Sequence, residues 1–324
     1  MDAVEYWPYV LRSARPLNAR SARLEHAGAL IRVGGGVGCL HPWPELGDAP
    51  LERQLQMLVR GEKTPLIEQA LCCAAEDGEA RARGHWLLED LKIPASHALV
   101  PPMATDEEIE QLLAMGFVAL KWKLGGDGRP LLRWAEKFPE ARWRLDSNEV
   151  LQLAEAVEIA RHWPENLRER IDFWEDPCPY DPGVWQKLAD ACGIRLAVDR
   201  HADTAAMSGD KRWHWVVKPA RDPVALRLQQ AINCGAGLVV TSYMDHPIGQ
   251  AWAALNAARV AAAGGKNGGH LVACGVATHL LFEDCPFSRE IKLEDGRIVL
   301  PEGGGLGYDG ELGELFWKSL SNKL

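Results

Sequence analysis

Short apolar runs alternate along this chain with longer stretches whose apolar positions recur every three to four residues, and from about Ser96 the alternation becomes regular. The short runs predict strands over His97–Val100, Val118–Lys123, Arg142–Asp146, Ile171–Glu175, Arg195–Asp199, Trp213–Lys218, Leu238–Ser242 and His270–Cys274. Between them, Asp106–Met115, Leu131–Lys137, Glu149–Arg161, Gly183–Ala191, Pro223–Asn233 and Gly249–Ala263 predict helices. Asp106, Glu107 and Glu108 suit a helix start, where free backbone N–H groups favour negative charge. Eight strands alternating with helices, at roughly 25 residues per unit, form the pattern of a (β/α)8 TIM barrel. A doubly wound sheet is the alternative, but no phosphate-binding fingerprint follows any strand.

The first ninety or so residues have a different rhythm. Ala27–Val33 runs into Gly34-Gly35-Gly36 and then Val37–Leu40, which predicts a hairpin in a small antiparallel sheet. No βαβ unit with an acidic ribose-binding residue follows those glycines, so they do not read as a dinucleotide site. His41-Pro42-Trp43-Pro44 predicts a stiff loop. Helices follow over Pro50–Arg60, with Leu51, Leu55 and Leu58 on one stripe, and over Pro65–Asp77. Beyond the eighth strand, Ile291–Leu300 reads as a short hairpin arm. Gly303-Gly304-Gly305-Leu306-Gly307 reads as a turn, lacking the Lys-Ser/Thr of a P-loop. The expected organisation is an α+β capping domain at 1–95, a barrel at 96–290, and a segment at 291–324 returning to the cap.

Composition narrows the class. The 324 residues are 47% apolar and 25% charged, ordinary for a globular protein. A net charge of −9 argues against nucleic-acid partners. The N-terminus lacks a signal-peptide pattern, and the longest apolar candidate, Ala251–Ala263, is broken by Asn256 and Arg259, so no membrane partner is expected. Eight scattered cysteines without a C-x-x-C suit reduced thiols in the cytoplasm. Oligomeric state is not encoded in any of these features.

The chemistry is concentrated at the strand ends. In a (β/α)8 enzyme, reactive residues sit at the C-terminal ends of the strands. The second strand ends in Lys121 and Lys123, which share one face while Trp122 points opposite. The third ends in Asp146 with Asn148 beyond it, the fourth in Glu175 and Asp176, the fifth in Asp199 and the sixth in Lys218. One strand end with an acid or a lysine is ordinarily a cap or a solvated residue; five in succession converge on one point. Three carboxylates there would repel one another, and an oxygen-seeking dication such as Mg²⁺ resolves this. A small carboxylate substrate would then lie between lysines on opposite faces, an arrangement suited to removing a proton α to a carboxylate, with the metal acting as a Lewis acid on the developing enediolate. A cationic neighbour such as Lys121 would draw the pKa of Lys123 toward about 7 to 8, where it can act as a base.

These motifs resemble the enolase superfamily in its muconate-lactonizing branch. Lys121-Trp122-Lys123 matches its Lys-x-Lys, Asp146-Ser147-Asn148 its Asp-x-Asn, Trp174-Glu175-Asp176-Pro177 its Glu-Glu-Pro type and Val217-Lys218-Pro219 its sixth-strand lysine. Gly304-Gly305-Leu306-Gly307 resembles its C-terminal Gly-Pro-Gly-Leu-Gly. Within the branch, Arg144-Leu145-Asp146-Ser147-Asn148 and Thr241-Ser242-Tyr243-Met244-Asp245 with Ile248-Gly249 are similar to o-succinylbenzoate synthase segments. The resemblance implies a capped, modified barrel holding Mg²⁺, or Mn²⁺ in its place, on Asp146, Glu175 and Asp199. It also implies Lys123 as base and then acid in a syn-dehydration, Lys218 as stabilising cation and Lys121 as electrostatic partner. Arg144, Asn148, Asp176, Thr241 and Ser242 would bind substrate or support the site.

Three departures stand out. Asp199-Arg200-His201 replaces the usual Asp-Glu-Ser, Asp176 replaces the second Glu, and the cap loop from Arg15 to Arg23 matches poorly. N-succinylamino acid racemization, dipeptide epimerization and cycloisomerization use the same lysines. Ala273-Cys274-Gly275-Val276-Ala277 lacks the Asp-x-Asp that dipeptide epimerases carry near the eighth strand. A degenerate barrel kept as a binding protein is the non-enzyme alternative. His41, His201, His214 and His270 lack ligand spacing and read as structural, and Cys178 and Cys274 have no apparent base.

Overall fold

The computed structural model describes residues 3–17, 21–267 and 271–321. Near the N-terminus, β1 (Glu5–Arg12), β2 (Glu25–Val33) and β3 (Gly36–Leu40) form an antiparallel sheet. Gly34 and Gly35, at φ 59° and 83°, make the β2–β3 turn, a pairing of positive angles that glycine adopts without strain. The glycines of β3 itself serve a different purpose. A Cβ at Gly36 or Gly38 would overlap the carbonyls of Ala74 or Ala70, so the bare strand lets helix α2 (Pro65–Ala82) lie directly on the sheet. Helix α1 (Leu51–Val59) buries Leu51, Leu55 and Leu58, the stripe read from the sequence.

Strand β1 is not expected from the sequence pattern, because Pro8 interrupts it. It forms because its outer neighbour, β14 (Lys318–Ser319), pairs only with Glu5 and Tyr6. Beyond Tyr6 that edge needs no backbone donor, which is where a strand tolerates proline.

The barrel follows the expected order. β4 (His97–Val100), β5 (Ala119–Lys123), β6 (Arg142–Asp146), β7 (Ile171–Glu175), β8 (Leu196–Val198), β9 (His214–Val217), β10 (Gly237–Thr241) and β11 (Leu271–Gly275) pair in parallel, each beside its sequence neighbours. Ser96 bridges to Cys274 and its hydroxyl accepts the N–H groups of Val276 and Ala277, bringing the last strand against the first. His270, expected to open the eighth strand, lies outside the described residues. After it come the small hairpin of β12 (Lys292–Glu294) and β13 (Arg297–Val299) and then the return to β14.

The helices agree within a few residues, with one informative exception. Asn148 and Glu149 have φ of 48° and 62°, so the helix expected from Glu149 begins only at Leu153. Short helices at Glu165–Arg168 and Ala202–Met207 are too brief for periodicity to reveal. Among the described residues, no helix is long and apolar enough to cross a membrane.

One buried carboxylate joins the C-terminal segment to the N-terminal sheet. Asp77 on α2 accepts the backbone N–H of Val37 at 2.8 Å and of Leu306 at 2.7 Å, and the Arg81 Nε at 2.7 Å. Removing it would leave buried donors without partners. The Asp77→Ala protein should lose about 3–5 kcal/mol of stability, measured by urea unfolding monitored at the tryptophans. A loss below about 1 kcal/mol would show that water replaces the carboxylate.

Candidate active site

The C-terminal strand ends surround a cavity of about 440 Å³. Lys121, Lys123, Asp146, Asn148, Glu175, Asp199, Lys218, Thr241 and Ser242 all line it. The pleat explains the lysines: both point inward, while Trp122 turns outward to meet Trp134 edge-on at 5.4 Å.

The two lysines of β5 have different surroundings. Lys121 Nζ lies 2.8 Å from both Glu175 oxygens and 3.1 Å from Asp146 Oδ2. Burial lowers its pKa, but Asp146 and Glu175 outweigh burial and raise it, so Lys121 is a fixed cation. Among the described residues Lys123 has no ion-pair partner; its Nζ donates to the backbone carbonyl of Leu17 at 2.9 Å. Burial holds its pKa below the ordinary lysine value, with Asp146 opposing and Lys121 adding to the fall. The downward direction agrees with the expectation, but desolvation rather than the cationic neighbour is the larger cause.

Across the cavity, Lys218 Nζ is 2.6 Å from Asp199 Oδ1, and its backbone N–H donates to Asp222 at 2.6 Å. Burial acts against its charge, yet Asp199 prevails and raises the pKa. Its ammonium also sits 5.9 Å from the Tyr243 ring centroid, within cation–π range.

The carboxylates crowd one another as well as the lysines. Glu175 is pushed up to about 7, first by burial and then by Asp146 and Asp199, against the pull of Lys121. Asp146 is lowered: burial opposes this, but Lys121 and Lys123 win, and Asn148 adds two hydrogen bonds of 3.0 and 2.8 Å to Oδ1. Three carboxylates at adjacent strand ends fit a hard dication by charge and donor type. Their present spacing is set by ammonium groups; among the described residues no three acidic, histidine or cysteine side chains are close enough to hold a metal. Lys121 and Lys218 thus occupy the oxygens that a cation would take.

Two expected site residues lie behind the cavity wall. Asp176, at φ 41°, accepts the N–H of Asp199 at 3.1 Å and of Arg200 at 3.2 Å, shaping the turn after β8. Burial and the neighbouring Asp199 hold its pKa well above the ordinary value. Arg144 lies deeper, bound to Asp172 at 3.0 Å, to the Cys274 carbonyl at 3.1 Å and to His97 Nδ1 at 2.9 Å.

Arg200, the cation where relatives carry an acid, finds its counter-charge locally. Its guanidinium reaches Glu149 Oε2 and Asn148 Oδ1, both at 3.4 Å, and Glu149 also meets His201 Nε2 at 3.2 Å. The positive φ at Asn148 and Glu149, absent from the expected helix, accompanies this turn of Glu149 toward them. His201, read as structural, stacks on Tyr180 and lines the cavity. His41 is buried beside Tyr9 and His214 packs edge-on against Phe173. Burial raises Cys178 to about 11 and Cys274 to about 12, leaving neither as a ready thiolate.

Several lining residues escape the sequence reading: Leu17 and Leu46 from the N-terminal segment, His97, Arg221, Tyr243 and Thr278. Arg221 and Tyr243 follow strand ends closely enough to have been found by position. Leu17 carries no such signal, since its place depends on how the cap loop lies over the barrel.

The ammonium of Lys121 balances two buried carboxylates, so Lys121→Met should destabilise the protein by about 3–5 kcal/mol in EDTA, read by urea unfolding. Millimolar Mg²⁺ should return part of that loss. An unchanged midpoint in EDTA would mean the carboxylates simply take up protons.

Known proteins bear on this site as follows. The family description "O-succinylbenzoate synthase, N-terminal domain" matches residues 4–80 and "Enolase C-terminal domain-like" matches residues 104–209. An o-succinylbenzoate synthase from Bdellovibrio bacteriovorus is 29% identical, over 99% of this chain and 99% of that protein. Another from Pectobacterium atrosepticum is 28% identical over 64% of this chain and 71% of its own. Among solved structures, the L-Ala-D/L-Glu epimerase of Bacillus subtilis has a TM-score of 0.74 at 18% identity, covering 95% of this chain and 98% of its own. A dipeptide epimerase from Methylococcus capsulatus, complexed with Mg and a dipeptide, has a TM-score of 0.72 at 22% identity, covering 94% and 98%. At these identities the structural likeness shows the fold. Fold, domain matches and curated relatives agree: the chain is an enzyme of the enolase superfamily and resembles o-succinylbenzoate synthase.

Proposed function

We propose that the protein catalyses the Mg²⁺-dependent syn-dehydration of 2-succinyl-6-hydroxy-2,4-cyclohexadiene-1-carboxylate to o-succinylbenzoate, a step of menaquinone biosynthesis, in the cytoplasm. The observation that carries this reading is the unequal treatment of two opposed lysines. Lys123 is half-buried, has no ion-pair partner among the described residues and is lowered in pKa, whereas Lys218 is tied to Asp199 and raised. A single-base elimination needs that inequality. A racemase would need both lysines to exchange protons.

In the role of base, the neutral form of Lys123 keeps one N–H on the Leu17 carbonyl and its lone pair for the substrate. It takes the proton from the ring carbon bearing the carboxylate. The resulting ammonium then protonates the hydroxyl on the adjacent carbon, which leaves as water while the electron pair completes the aromatic ring. Acid and base are one group on one face, hence the syn course. Lys218 stands as a permanent cation on the other face. Asp146, Glu175 and Asp199 would hold Mg²⁺, which when bound supplies Lewis-acid stabilisation of charge on the substrate carboxylate. We assign residues 1–95 and 291–324 to the cap and 96–290 to the catalytic barrel. Asp176 and Arg144 support the site from behind, Asn148 braces Asp146 from the cavity wall, and Thr241 and Ser242 border the substrate.

The direct test follows the diene absorbance of this substrate with purified protein and Mg²⁺. Absorbance should fall, stop with EDTA and resume with added Mg²⁺. Lys123→Ala should lower kcat by roughly 10²–10⁴-fold, the usual contribution of a general base. If the diene persists while N-succinylamino acids take up solvent deuterium, the protein is a racemase and the dehydratase reading is wrong.

A further inference from the structure

His97 opens the first barrel strand and points inward, buried, at the floor of the cavity. Its Nδ1 lies 2.9 Å from an Arg144 nitrogen. A guanidinium carries only donors, so Nδ1 must accept, and the ring proton must sit on Nε2. Arg144 cannot turn away to relax this constraint, since Asp172 and the Cys274 carbonyl hold it on its other sides. Burial, together with the Arg144 and Lys121 charges, holds the His97 pKa well below the ordinary value, which agrees with a neutral ring.

Nε2 takes no partner among the described residues. It lies over Gly275, where a Cβ would overlap it, so the absence of a side chain there leaves the N–H open to the cavity. The same ring borders an adjoining chamber of about 80 Å³ lined by Leu99, Leu112, Ala277, Leu280 and Leu281. Strand β4 is four strands from β8 in an eight-stranded ring, so His97 lies on the side of the cavity opposite the wall where β8 carries Asp199, with Glu175 on β7 beside it. A substrate whose carboxylate is held at that wall turns its far end toward His97 and the apolar chamber.

We propose that His97 is a substrate-binding residue, a neutral imidazole whose Nε2–H donates to the acyl carbonyl oxygen of the substrate, with Arg144 as the positioning residue that fixes its tautomer. The methylenes of the acyl arm lie in the adjoining apolar chamber. This deepens the dehydratase reading and rests on it.

Two measurements test it. The first is the ¹⁵N spectrum of histidine-labelled, Mg²⁺-loaded protein, with the His97 signal identified by its loss in His97→Gln. The Nε2–H tautomer should persist between about pH 5 and pH 8. The product o-succinylbenzoate should shift Nε2, and benzoate, which lacks the acyl arm, should not. An Nδ1–H tautomer, or a ring indifferent to the product, would overturn the proposal, and wild-type protein alone decides this if a variant fails to fold. The second is kinetic: His97→Phe should lower kcat/KM roughly tenfold, chiefly through KM, and His97→Gln, which keeps a donor, should recover most of it. Diene turnover with an unchanged KM in His97→Phe would remove the donor and leave the dehydratase reading standing. A product-responsive Nε2 without diene turnover would do the reverse.

Discussion

The structure turns on one buried ammonium. Lys121 sits within 3.1 Å of two carboxylates from neighbouring strands, and without it Asp146 and Glu175 would face each other across the barrel mouth with no positive charge between them. Even so, Glu175 stays above the ordinary carboxylate range, first because it is buried and then because Asp146 and Asp199 add their negative charges. The mouth is therefore built with several carboxylates crowded together. Their oxygens make it receptive to a dication, and Asp146 and Glu175 also hold Lys121 charged and unfit to accept a proton.

Specialisation of the lysines follows from partners rather than from residue type. Lys121 and Lys218 are both satisfied by carboxylates and both raised in pKa. Lys123, one pleat beyond Lys121, meets a backbone carbonyl and no carboxylate partner among the described residues, and that carbonyl accepts from an amine as well as from an ammonium. Burial, with the Lys121 and Lys218 charges beside it, outweighs the opposing Asp146 and Glu175, and the pKa falls. The same strand thus carries a fixed cation and a base two residues apart.

Around this centre the backbone is strained where it braces the site. Asn148, Glu149 and Asp176 all have positive φ, and each serves a functional neighbour. Asn148 holds Asp146, Glu149 neutralises Arg200, and Asp176 sets the turn through Asp199. Such angles persist only where surrounding contacts over-determine them. Arg200 is compatible with the site because Glu149 leaves the helix to meet it, a compensation within one loop for a residue that departs from its relatives.

How much of this is legible in the sequence depends on the range of the interactions. Strand spacing, the inward face of β5 and the row of strand-end acids and lysines are local properties, since a period of two and a C-terminal strand position suffice to place them. The hairpin glycines and the α1 leucine stripe are local in the same sense. Strand β1 is not, because Pro8 is tolerable only where β14, some three hundred residues away, stops pairing. Nor is the pKa of Lys123, which depends on burial under the segment that carries Leu17, nor the tautomer of His97, which Arg144 dictates across two strands. The sequence by itself determined which chemical groups reach the barrel mouth. Only the tertiary structure decided which of them are paired and which are left free to react, because pairing and desolvation are set by neighbours distant in the chain.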